Sequence, residues 1–177
     1  METRKAMDRD LSRQPARVRR RVLLGAAIAA VASSPVFAAC RPVQVLFVCP
    51  AGSVKSAIAR ESLKRRVADQ GLQVSVASRG VHPEDHVSPA LAANLKADGI
   101  DPGAEPLRAL APADIADADV VIAFDEASEV PALRSARAWK TPSWNGDYAA
   151  AKADLDGRLT GLLAELRTRA AQPCGAK

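Results

Sequence analysis

The run Val43-Gln44-Val45-Leu46-Phe47-Val48 restricts the possible fold more than any other segment. It is almost continuously apolar and rich in β-branched residues, the pattern of a strand buried on both faces. Such a strand belongs in a parallel sheet covered by helices on each side. The rest of the chain supplies the partners. Residues 54–70 predict a helix, with Ile58, Ala59, Leu63 and Val67 at helical spacing and Gly71 as its stop. Residues 72–77 alternate and predict a second strand. Ser88-Pro89 opens a further helix that carries Leu91 and Leu95 and closes at Gly99. Residues 119–124 predict a third strand, 125–134 a short helix and 136–140 a fourth strand. Residues 148–169 predict a long helix with Leu155, Leu159, Leu162 and Leu166 on one face. Gly157 and Gly161 weaken it by up to about 1 kcal/mol each. The expected class is α/β, a three-layer α/β/α domain over residues 41–170 with a central parallel sheet of about four strands. Right-handed crossovers place ligands at the carboxyl ends of those strands.

Charge separates this body from what precedes it. Of 25 Lys/Arg and 20 Asp/Glu in 177 residues, residues 1–21 hold eight basic and three acidic ones, so the remainder is neutral. A nucleic-acid binder needs a clustered basic footprint, and none is expected here. Lys64-Arg65-Arg66 reads as the exposed side of a helix.

Residues 1–40 read as an export signal. A basic stretch leads into Val22–Ala32, which is too short to cross a membrane as an ordinary helix, and small residues around Val36-Phe37-Ala38 suit cleavage. Arg19-Arg20-Arg21-Val22-Leu23-Leu24 resembles a twin-arginine signal, which implies a periplasmic location. Cys40 after Phe37-Ala38-Ala39 is a weak match to a lipoprotein acceptor, so membrane attachment would come only through the signal or a lipid at Cys40. Residues 171–177 form a tail. Cys40 and Cys174 could pair in an oxidising compartment, and sequence leaves this open.

The chemistry-bearing segment is Cys49-Pro50-Ala51-Gly52-Ser53-Val54-Lys55-Ser56. The first strand delivers Cys49 to its carboxyl end, a tight loop follows, and a helix begins near Val54. Backbone N–H groups of such a loop can surround one anion, and the helix start adds positive potential. The same field favours the nucleophilic thiolate of Cys49. Gly52 permits a left-handed backbone, Lys55 adds a cation, and Ser56 is placed to hydrogen-bond the sulfur. Phosphate-binding positions are therefore Ala51, Gly52, Ser53, Val54 and Lys55. The bland alternatives stay open: an inert core thiol at Cys49, a solvated Lys55, and Ser56 as a helix-start hydrogen-bonding residue.

This layout resembles the low molecular weight protein tyrosine phosphatases and the related thioredoxin-coupled arsenate reductases, whose signature is a Cys, five residues, an Arg and a Ser after the first strand. The resemblance runs from Val43 to Arg169. It includes Ser78-Arg79-Gly80, Ser88-Pro89, the Gly99-Ile100 turn and Leu107-Arg108. It implies hydrolysis of phosphomonoesters, on a phosphorylated protein or a small molecule, through a phosphocysteine, with no cofactor or metal. Four departures stand out. Lys55 replaces the signature Arg. Pro50 brings no N–H to the loop. Arg60 stands where Glu is usual, and Val54 where many members carry a second Cys. The Asp-Pro acid pair is also missing, and Asp147 is the nearest replacement, either as proton donor or as the N-cap of the last helix. These departures keep two alternatives in view, a non-catalytic oxyanion- or partner-binding descendant and, third, an arsenate reductase. His82 and His86 lack a third ligand and read as surface residues.

Overall fold

The computed structural model describes residues 41–171. The expected export signal, the Cys40 lipid site and the Cys40–Cys174 pair therefore involve residues outside the described part. The sheet has four parallel strands: β1 (Val43–Cys49), β2 (Val74–Gly80), β3 (Val120–Phe124) and β4 (Arg137–Trp139), in the spatial order β2-β1-β3-β4. Four α-helices accompany them: α1 (Lys55–Asp69), α2 (Pro89–Ala97), α3 (Pro112–Asp117) and α4 (Tyr148–Ala170).

β1 is central because both of its faces are apolar. Val45, Phe47 and Cys49 enter a core with Ile58 and Leu63 of α1, Leu91 and Leu95 of α2, and Leu155, Leu159, Leu162 and Leu166 of α4. Leu46 and Val48 point the other way, into a smaller core with Ala123, Ala127 and Leu133. The two-residue repeat of a strand thus sorts one apolar run into two cores, which makes three layers. Full burial of each large apolar side chain stabilises the fold by roughly 1.5–3 kcal/mol. Phe47, Phe124 and Trp139 pack with ring centroids 5.7–6.0 Å apart under the sheet end.

Four elements differ from the sequence expectation. β2 runs on through Ser78-Arg79-Gly80, because it pairs in register with β1 from Val43↔Val74 to Cys49↔Gly80. Its inward positions Val76, Ser78 and Gly80 keep the alternation, but polar and small residues disguise it. Residues 125–134 form two 3-10 turns, Asp125–Glu129 and Pro131–Leu133, instead of a helix. Pro131 has no N–H to continue a helical ladder. The short α3 was not anticipated, since six residues carry too little periodicity to read. β4 is also shorter than expected.

Candidate functional site

β1 ends at the thiol, and the next residues turn around it. Cys49 Sγ lies 3.0 Å from Ser56 Oγ and accepts from Gly52 N–H at 3.1 Å. Ser56 Oγ is also within reach of the carbonyls of Gly52 (3.2 Å) and Arg79 (3.4 Å). Cys49 is a free cysteine, 3% exposed. The Gly52 N–H aimed at the sulfur, and the Ser56 O–H when it turns there, stabilise negative charge on it. The start of α1 also presents its N–H groups to this end of the sheet. Among the described residues, none accepts from the amides of Val54, Lys55 or Ser56.

Backbone packing sets the loop's shape. The carbonyls of Cys49, Pro50 and Ala51 accept from Val81, His82 and Glu84 N–H at 3.1, 2.8 and 3.0 Å. Gly52 has φ +80°, and a Cβ there would stand 2.8 Å from Gly80 N. A Cβ on Gly80 would stand 2.7 Å from Ala51 O. Both positions must therefore be glycine for loop and β2 to touch. Behind them Arg60, 2% exposed, donates from Nη1 to Ser78 Oγ (2.7 Å), from Nη2 to Pro102 O (3.0 Å) and from Nε to Glu61 Oε1 (2.6 Å). The residue that departs from the family pattern thus braces the strand on which the loop rests. Arg79 donates to Asp114 Oδ1 at 2.6 Å. Burial pushes the Asp114 carboxyl up, but hydrogen bonds from Arg79 and the Ala111 amide, with the charges of Arg79 and Arg108, hold it below the usual range.

Lys55 does not stand free over the loop. Its ammonium pairs with Asp125 Oδ2 and donates to Thr141 O at 3.0 Å, while Asp125 Oδ1 accepts from Thr141 N–H at 3.1 Å. Asp125 holds φ +50°, an uncommon backbone for a residue with a side chain. The sequence reading did not single out Asp125. Its signal was its position, just past the carboxyl end of a parallel strand.

A cleft of about 260 Å³ opens beside the thiol. Cys49, Pro50, Ala51, Val54 and Lys55 line one side, and Asp125, Glu126, His86, Ser143, Trp144 and Asn145 the other. Gly52, Ser53 and Ser56 lie behind this surface, and Ser53 Oγ accepts from His86 N–H at 3.0 Å. Asn145 Nδ2 donates to His86 O at 3.0 Å, which ties the two loops together. His86, read from sequence as a surface residue, is exposed and lines the cleft as well. Asp147 caps α4, its Oδ1 accepting from Ala150 N–H at 3.0 Å. It is exposed and does not line the cleft. A larger hollow of about 640 Å³, between α2 and the segment 99–107, is lined by Ser53, Val87, Leu95, Ile100 and Leu107. Among the described residues, no three His, Cys, Asp or Glu side chains gather as a metal site would need.

Comparisons with known proteins agree with the fold. No curated protein matches the sequence. Among solved structures, YfkJ from Bacillus subtilis is similar with a TM-score of 0.60 at 20% identity, the match covering 74% of this chain and 98% of that one. The YwlE arginine phosphatase from Geobacillus stearothermophilus is similar with a TM-score of 0.57 at 22% identity, covering 72% and 95%. A thioredoxin-dependent arsenate reductase from Corynebacterium glutamicum gives 0.59 at 24%, covering 74% and 65%. Identities this low establish the fold. The sequence profile of low molecular weight phosphotyrosine protein phosphatases matches residues 44–167, from β1 into α4. The chain belongs to the low molecular weight phosphotyrosine protein phosphatase family.

Proposed function

We propose that the domain hydrolyses phosphomonoesters through a phosphocysteine on Cys49. The observation that carries this reading is the sulfur itself, held by Ser56 Oγ and Gly52 N–H at the start of α1. The thiolate attacks phosphorus and the ester oxygen leaves with the bonding pair. Loop amides stabilise the phosphoryl oxygens. The proton for the leaving oxygen is assigned to Asp147, whose Oδ2 the cap leaves free and which lies outside the cleft lining in this structure. Water then releases phosphate and returns the thiolate. Aryl phosphate hydrolysis by residues 41–171 tests this, with rapid denaturation during turnover to trap phosphate on Cys49. Absence of turnover and of trapped phosphate would remove the reading.

A second reading has its own support. The pairing of Lys55 with Asp125 withdraws the loop's cation, as expected of a descendant that binds an oxyanion without reacting. Phosphate binding without hydrolysis would select it. We also propose export of the chain by residues 1–40 through the twin-arginine route, supported by Arg19-Arg20-Arg21 ahead of an apolar stretch. Replacing the three arginines by Lys should retain the protein in the cytoplasm on fractionation, and unchanged export would remove that route. If Cys40 carries lipid, Cys40→Ala should release a membrane-bound protein.

A further inference from the structure

The charges that line the Cys49 cleft bear on the charge of the leaving group. Lys55 is cancelled by Asp125 and further occupied by Thr141 O. His86 Nε2 sits 3.1 Å from Glu84 Oε2. Glu126 remains on the rim, exposed, and among the described residues no donor pairs with it. The loop amides supply positive potential to the phosphoryl oxygens at the bottom of the cleft. The leaving group points out from there, toward a carboxylate and the Trp144 wall.

Resting on the hydrolase reading of the same site, we infer that the cleft selects phosphomonoesters whose leaving group carries an ammonium, with Glu126 as the selecting residue. A cation there meets an unpaired carboxylate, which attracts it. A leaving group with its own carboxylate meets repulsion from Glu126. Lys55 and Asp125 cancel within their pair, so Glu126 is the charge left over on that wall.

The test is a binding comparison that does not depend on turnover. Cys49→Ser protein is titrated at low ionic strength with para-aminomethylphenyl phosphate and with para-tolyl phosphate, which differ by one ammonium group. The ammonium ester should bind about two- to fivefold more tightly, the size of an exposed ion pair. Adding Glu126→Gln should bring the ratio close to one, and so should raised salt. Equal affinities, a ratio that survives Glu126→Gln, or no binding of either ester would overturn the inference. Turnover of the two esters by the parent protein reports separately on Cys49. A charge preference without hydrolysis would keep the selectivity and remove the hydrolase reading.

Discussion

The loop at residues 50–54 and the facing segment 141–147 build the two walls of the cleft in opposite ways. The loop is shaped by backbone: three carbonyls bonded to residues 81–84, and two glycines in direct contact. The facing wall is shaped by side chains. Asp125 holds Thr141 N–H, Asn145 holds His86 O, and Asp147 caps α4. A backbone-built wall keeps its form when side chains change, which explains how it accommodates Pro50 and Lys55. A side-chain-built wall can recruit a residue from across the cleft, and here it has recruited Lys55.

The largest effect expected from breaking the loop wall is chemical. Cys49→Ser should abolish aryl phosphate hydrolysis while leaving thermal unfolding close to that of the parent, because a hydroxyl fits where the thiol sat. Residual turnover near the parent rate would show that the loop carries no nucleophile.

Gly52→Ala comes next. The added methyl meets Gly80 and the backbone is left-handed, so stability should fall by about 2–4 kcal/mol in denaturant unfolding, with loss of phosphate binding. A neutral result would mean that loop and β2 do not touch as described.

The pair that joins the walls gives an intermediate effect of opposite sign. Asp125→Asn keeps an acceptor for Thr141 N–H and tolerates the left-handed backbone, yet removes the charge on Lys55. Affinity for inorganic phosphate should rise roughly tenfold by calorimetry, about 1.4 kcal/mol. Lys55→Arg should act in the same direction on turnover, since a guanidinium can keep Asp125 and still offer N–H groups to phosphate. Unchanged affinity in Asp125→Asn would show that Lys55 does not serve the anion.

On the facing wall, Asp147→Ala should cost about 1 kcal/mol of stability as a lost cap, whereas Asp147→Asn should cost little because Asn caps equally well. The Asn variant therefore isolates the proton-donor role: it should slow esters with poor leaving groups more than those with good ones. Equal slowing of both would leave Asp147 as a cap alone.

The smallest effect concerns the brace behind the loop. The Asp114 carboxyl is held below its usual range, so its pairing with Arg79 stabilises the fold at neutral pH. That contribution is lost as pH falls through the lowered folded value. Urea midpoints measured from neutral pH into acid should fall less steeply in Asp114→Asn than in the parent. Parallel curves would remove Asp114 from the acid response.

How much of this was legible depended on distance along the chain. The sequence by itself determined β1, since an unbroken apolar run has few other places to go, and with it the order of the four strands and of α1, α2 and α4. It also set Cys49, Gly52 and Ser56 close together, because all three lie within one strand-loop-helix step. The cap at Asp147 was one of two open readings for the same reason of local geometry. Tertiary structure decided the rest. β2 extends to Gly80 only because β1 is there to pair with, and Arg60 is buried only because Ser78 and Pro102 O receive it. Lys55 meets Asp125 across 70 residues of sequence. A charge pair at that separation leaves no periodicity or spacing to read; it exists because the parallel sheet brings the ends of β1 and β3 side by side.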